Sequence, residues 1–152
     1  MSSFRTGIIF AILLEVLQPI VAAAGTGEVE NRLKNYFNEV ALRVEREKDP
    51  AQKRVILNRT FDKTTRALEA VAQMPGLAQE DRAFLASFQQ DLQDKSDELN
   101  GRNGYIQVKD DELDSFSDYV LQDTEQARRV VIVTTTTVLI VAAILILLLA
   151  MD

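Results

Sequence analysis

The chain has 152 residues and a formal net charge of -6, room for one modest domain and little more. It contains no Cys, no His and no Trp, which excludes disulfides, thiolate chemistry, the commonest zinc ligand and any Ser-His-Asp arrangement. Its 47% hydrophobic content is concentrated at the two ends, so the middle is polar.

Residues 1–24 have the layout of a secretory signal: Arg5 as a positive start, an apolar core from Ile8 to Leu17, a break at Pro19, and the small residues Ala22, Ala23 and Ala24. This predicts processing between Ala24 and Gly25. Glu15 departs from the pattern, because an acidic side chain inside the apolar core disfavours insertion. It leaves open a second reading, an uncleaved anchor from Gly7 to Ala24 with Glu15 turned to a partner helix.

Helical periodicity then runs through the middle of the chain. Val29, Leu33, Phe37, Val40 and Val44 recur at spacings of four and three, predicting a helix from Glu28 to Lys48. Asp49 suits an N-cap, Pro50 the first helical position and Gln52 the closing residue of a capping box. Val55, Ile56, Phe61, Leu68 and Val71 form the apolar side of that second helix, which Pro75-Gly76 ends. A third helix fits Gln79 to Leu99 through Phe84, Leu85, Phe88, Leu92 and Leu99, with Asn100 and Gly101 at its C-terminal cap. Asp110 or Asp111 is the expected cap of a fourth, with Leu113, Phe116, Val120 and Ala127 on its inner face.

Between the third and fourth helices, the stretch from Glu98 to Asp110 resembles a calcium loop in its oxygen-bearing residues, its central Gly and its late carboxylate. The spacing is one residue off, the last position is Asp where a bidentate Glu belongs, and no second loop exists to pair with it. A Gly/Asn-rich turn is the better account, and no metal or cofactor is expected. Asn58-Arg59-Thr60 matches a glycosylation triplet but falls inside a helix. Charge is unevenly spread: eight basic and four acidic residues from Arg43 to Arg66, eleven acidic and three basic from Asp91 to Glu125. The simplest account sets the two stretches against each other within a bundle. A net negative domain without interleaved basic and aromatic residues is not expected to bind nucleic acid.

From Val130 to Met151 the chain has 22 residues with no charge, no Gly and no Pro. At helical rise this is about 33 Å, enough to cross a hydrocarbon core of about 30 Å. Thr134 to Thr137 can bond back to carbonyls one turn earlier, so they do not break the run. Nothing between Gly104 and Met151 stops a helix, which predicts one rod from about Asp111 onward. The expected architecture is all-α: residues 1–24 a signal peptide or retained anchor, 25–127 a small antiparallel bundle of about four helices, and 128–151 a transmembrane helix continuing the last of them. The residue inventory argues against an enzyme. It favours a single-pass membrane protein whose extracytoplasmic bundle binds a membrane or extracytoplasmic protein, as an accessory or assembly subunit. The alternative is a ligand-sensing bundle that signals laterally. The membrane helix offers small and weakly polar surface for a homo-oligomer. Arg128 and Arg129, on the domain side of the span, run against the positive-inside bias in the extracytoplasmic layout. An export signal normally dominates orientation, and the alternative that satisfies the bias is a two-pass hairpin with the bundle in the cytoplasm.

Overall fold

The computed structural model describes residues 26–130, 143–145 and 147–150. Every regular element among them is helical: α1 (Thr26–Arg46), α2 (Pro50–Ala72), α3 (Gln79–Asn100), a 3-10 turn (Asp110–Glu112) and α4 (Leu113–Val130). The expected signal or anchor over 1–24 lies outside the described residues, as does the greater part of the expected span. Within that span 128–130, 143–145 and 147–150 are helical. No helix among the described residues is long and apolar enough to cross a membrane, and the continuity of α4 beyond Val130 lies outside them.

The apolar stripes meet in one core. Phe37, Val40 and Val44 of α1, Leu57, Phe61, Leu68 and Val71 of α2, Leu85, Leu92 and Leu99 of α3, and Leu113, Phe116 and Val120 of α4 are buried. Tyr36 joins them, its ring edge-on to Phe37 at 5.4 Å. The side chains of Val29, Leu33 and Ala127, also expected in the core, lie outside the described residues. Val55, assigned to the inner face by periodicity, is exposed, while Lys53, Thr60 and Thr64 are buried. The threonines are tolerated because Thr60 Oγ1 donates to the Ile56 carbonyl at 2.9 Å and Thr64 Oγ1 to the Thr60 carbonyl at 2.8 Å.

Two expected caps are built differently. Asp49 does cap α2, accepting from the Ala51 amide at 3.0 Å. The box is not closed by Gln52, however: Glu47 Oε1 takes the Asp49 amide at 3.0 Å and the Lys48 amide at 2.7 Å. Neither Asp110 nor Asp111 caps α4, because both sit in the 3-10 turn that leads into it. The end of α3 is as expected. Gly101 is left-handed at φ 65°, its amide donates to the Glu98 carbonyl at 3.3 Å, and the Arg102 amide donates to the Asp97 carbonyl at 2.8 Å. That pair of bonds is a Schellman motif.

α2 contacts α1, α3 and α4, and α1 also lies along α4. Three residues separate α1 from α2. The first turns of α2 meet the start of α4 through Lys53–Asp114 and Arg54–Asp110, and the end of α3 through Asn58–Asn100. One end of the bundle, the tip, therefore carries the α1–α2 turn and the α3–α4 loop. The other end, the base, carries the α2–α3 turn, where Arg82 Nη1 donates to the Ala72 carbonyl at 3.2 Å. α1 and α3 run toward the tip, α2 and α4 toward the base.

Candidate interaction surface at the tip

The loop from Gly101 to Lys109 is short of regular structure yet heavily tied down. Its anchor is Arg54, one turn into α2, whose side chain is only 17% exposed. Arg54 Nη1 donates to the Leu99 carbonyl at 2.8 Å, while Nη2 donates to the Val108 carbonyl and to Asp110 Oδ1, the latter at 2.9 Å. One guanidinium thus joins the end of α3, the end of the loop and the turn before α4. A planar fork of five donors can serve three acceptors in this way, where a Lys could not.

Inside the loop, Asp97 acts as a second anchor. Its buried carboxylate accepts from Gln93 Nε2 at 3.0 Å and from Asn103 Nδ2 at 2.6 Å. Asn103 adopts φ 50°, a left-handed conformation that Asn tolerates better than most residues. The Val108 amide donates back to the Glu98 carbonyl at 3.4 Å, and the Val108 side chain is buried. Asn58 and Asn100 exchange side-chain hydrogen bonds of 3.1 and 2.7 Å just below. Gly101 is required for a second reason besides its φ: a Cβ there would lie 2.8 Å from Gln107 Cβ and 2.9 Å from the Gln107 amide nitrogen.

This clamped loop presents apolar side chains to solvent. Ile106 is 89% exposed and Tyr105 44%. Burying a side chain of Ile's size contributes on the order of 1.5–3 kcal/mol, so folding alone leaves that gain unused at residue 106. Of the positions in the calcium-like stretch, the late carboxylate Asp110 is taken by Arg54, and among the described residues no three acidic groups converge.

Arg54 carried no functional weight in the sequence, but a signal for it existed. The first turn of α2 holds no acidic residue and is followed at once by Lys53 and Arg54. Cations at a helix N-terminus oppose the macrodipole, so their presence points to partners from elsewhere in the fold. Those partners, Asp110 and Asp114, come from the acidic stretch, as the facing of the two charged stretches anticipated. The facing is partial: Arg43, Arg46, Arg59 and Arg66 make no ion pair among the described residues. Lys95 reverses the pattern from α3, bonding Asp123 Oδ2 at 3.1 Å and the Tyr119 hydroxyl, with its ammonium 4.1 Å from the Tyr119 ring centre. Burial works to lower the Lys95 pKa, but the Tyr119 and Asp123 contacts win and hold it above the ordinary value near 10.5.

A groove of about 270 Å³ runs between α2 and α3. Phe61 and Leu92 line it together with Asp62, Arg66, Glu69 and Gln93. No protein-family model matches the chain, and no curated protein or solved structure does.

Proposed function

We propose that this chain is a membrane-anchored helical interaction protein, an accessory or assembly subunit that holds a binding surface at a set distance from the bilayer. Its work is recognition rather than catalysis, in keeping with a sequence that contains neither Cys nor His. The apolar run from Val130 to Met151 is the anchor, long enough at helical rise to span the hydrocarbon. α4 runs from the tip toward the base, so an anchor that follows it leaves the tip as the membrane-distal end. The observation that carries the reading is Ile106, exposed on a loop that Arg54 and Asp97 immobilise. A preordered apolar projection loses little conformational entropy when a partner covers it. With the N-terminal run read as an export signal, the bundle stands outside the cytoplasm. With that run retained, it stands inside.

The test has two parts. Membranes containing the full chain are washed with carbonate, and the chain is expected to stay with the pellet. A photo-crosslinking residue at position 106 is then expected to trap a discrete membrane protein that the same residue at exposed position 118 does not. Release by carbonate, or identical adducts at both positions, refutes the proposal.

The groove between α2 and α3 supports a second reading, a ligand-sensing bundle. Its lining joins Phe61 and Leu92 to three charged side chains, which suits a small amphipathic molecule, although its volume falls just below the range for such sites, about 300 to 1,000 Å³. A saturable thermal shift with a small ligand, abolished by Arg66→Ala, is the outcome that favours it.

A further inference from the structure

The Gly/Asn-rich loop at the tip holds the chain's two Asn-Gly pairs, Asn100-Gly101 and Asn103-Gly104. An Asn before a Gly carries a latent reaction. The backbone nitrogen of the Gly can attack the side-chain amide carbon of the Asn, and no Cβ on the Gly stands in the way. The reaction needs a Gly amide free of other bonds and an Asn side chain that can turn onto it. The fold treats the two pairs in opposite ways.

Asn100 is locked. It ends α3, half-buried, and its Nδ2 donates to Asn58 Oδ1 and to the Ser96 carbonyl, each at 2.7 Å. Its Oδ1 accepts from Asn58 Nδ2 at 3.1 Å. The Gly101 amide is itself engaged, donating to the Glu98 carbonyl in the helix cap. Asn103 is exposed, and a single side-chain hydrogen bond, 2.6 Å from Nδ2 to Asp97 Oδ2, restrains it. The Gly104 amide donates to nothing among the described residues, and a Cβ at Gly104 would meet no atom within 4 Å. Space and an unengaged nitrogen therefore coincide at the second pair alone.

We infer that Asn103 is a site of spontaneous covalent modification, deamidation through the Gly104 amide, and that its conversion releases the tip loop. Mildly alkaline solvent removes the Gly104 amide proton. The nitrogen then bonds to Asn103 Cγ, the Cγ–Nδ2 bond breaks, and ammonia departs to leave a succinimide ring. Water opens the ring at Cγ to give Asp, or at the main-chain carbonyl carbon to give isoaspartate, with no change of oxidation state. Either product replaces the amide donor beside Asp97 by a carboxylate. Asp97 is 3% exposed, so two like charges meet there with little water to screen them. The loop from Gly101 to Lys109 loses one of its two anchors, and Ile106 its fixed position. The modification stands by itself, while its effect on recognition rests on the binding reading above.

The full chain in detergent is held at mildly alkaline pH, digested and mapped by mass spectrometry. Asn103 is expected to exchange amide for acid at least about tenfold faster than Asn100, whose additional hydrogen bonds must open first. In denaturant the two sites should convert alike, since each then precedes an unrestrained Gly. Equal rates in the folded chain, or an Asn103 that converts only in denaturant, overturns the site. Asn103→Asp reproduces one product directly. Proteases are expected to cut it between Gly101 and Lys109 several-fold faster than the parent chain, and an unchanged rate overturns the release. Crosslinking separates the two levels. An adduct that the parent forms from position 106 should be lost with Asn103→Asp, and an undiminished one removes the effect on recognition but leaves the modification. No adduct even from the parent removes the binding reading alone.

Discussion

Arg54 and Val108 are 54 residues apart in sequence, yet the guanidinium of the first holds the carbonyl of the second. The same side chain reaches Leu99 and Asp110, so three segments that no local preference would align share one cation. Hydrogen bonds to charged groups contribute about 1.5–3 kcal/mol each in favourable cases, and they are not additive. Arg54→Met is therefore expected to destabilise the full chain in detergent by about 2–4 kcal/mol. Limited proteolysis should cut first between Gly101 and Lys109. Arg54→Lys keeps the charge but cannot span three acceptors, and should recover less than half of the loss in a denaturant titration.

Gly101 and Gly104 separate two reasons for a glycine. Both have positive φ, 65° and 89°, but only Gly101 is pressed against another segment. Gly104→Ala should cost about 1–2 kcal/mol, the strain of the left-handed region alone. Gly101→Ala should cost distinctly more, since Gln107 must move as well. Trimming Gln107 to Ala will not rescue it, because the close atoms include the Gln107 backbone nitrogen and Cα. Thermal unfolding of the two single variants and the Gly101→Ala/Gln107→Ala double variant checks the order.

Ile106→Asp should leave the unfolding midpoint unchanged within about 0.5 kcal/mol, as for surface substitutions that touch nothing structural. The partner adduct trapped from a photo-crosslinking residue at the neighbouring exposed position 105 should disappear with it. Loss of stability in this variant would mean that Ile106 packs on its own fold.

The Lys95–Tyr119 contact gives an alkaline limb to stability. The folded-state pKa of Lys95 is raised, so its contribution is fully present below the ordinary value near 10.5 and is lost as pH rises through the folded value. Tyr119→Phe keeps the ring under the ammonium but removes the hydroxyl partner, and should flatten stability against pH above about 10. Unfolding followed by far-ultraviolet circular dichroism between neutral and strongly alkaline pH measures it.

Glu47 sets the acid limb at the α1–α2 turn. Its backbone bonds to the Asp49 and Lys48 amides lower its pKa below 4.5, so that contribution is present above this value and is lost as pH falls through the folded value. Glu47→Gln should remove the dependence at the turn, and amide exchange at Lys48 and Asp49 below pH 4.5 is the readout.

What the sequence determined by itself was whatever depends on near neighbours. The helical class, the Phe37–Val40–Val44 and Leu85–Leu92–Leu99 stripes, the Asp49 cap and the Gly101 stop all follow from preferences acting over one turn of chain. The closing of the Asp49 cap by Glu47 and the 3-10 entry to α4 were not legible, because competing acceptors a few residues apart differ only in geometry. Tertiary structure decided the rest. Val55 lost the burial that periodicity gave it while Lys53 is buried, since Lys53 faces Asp114 and a buried cation with a partner is tolerated. The clamped loop and its exposed Ile106 depend on Arg54 meeting carbonyls and a carboxylate 45 to 56 residues away, a coincidence of position that only the packed helices create.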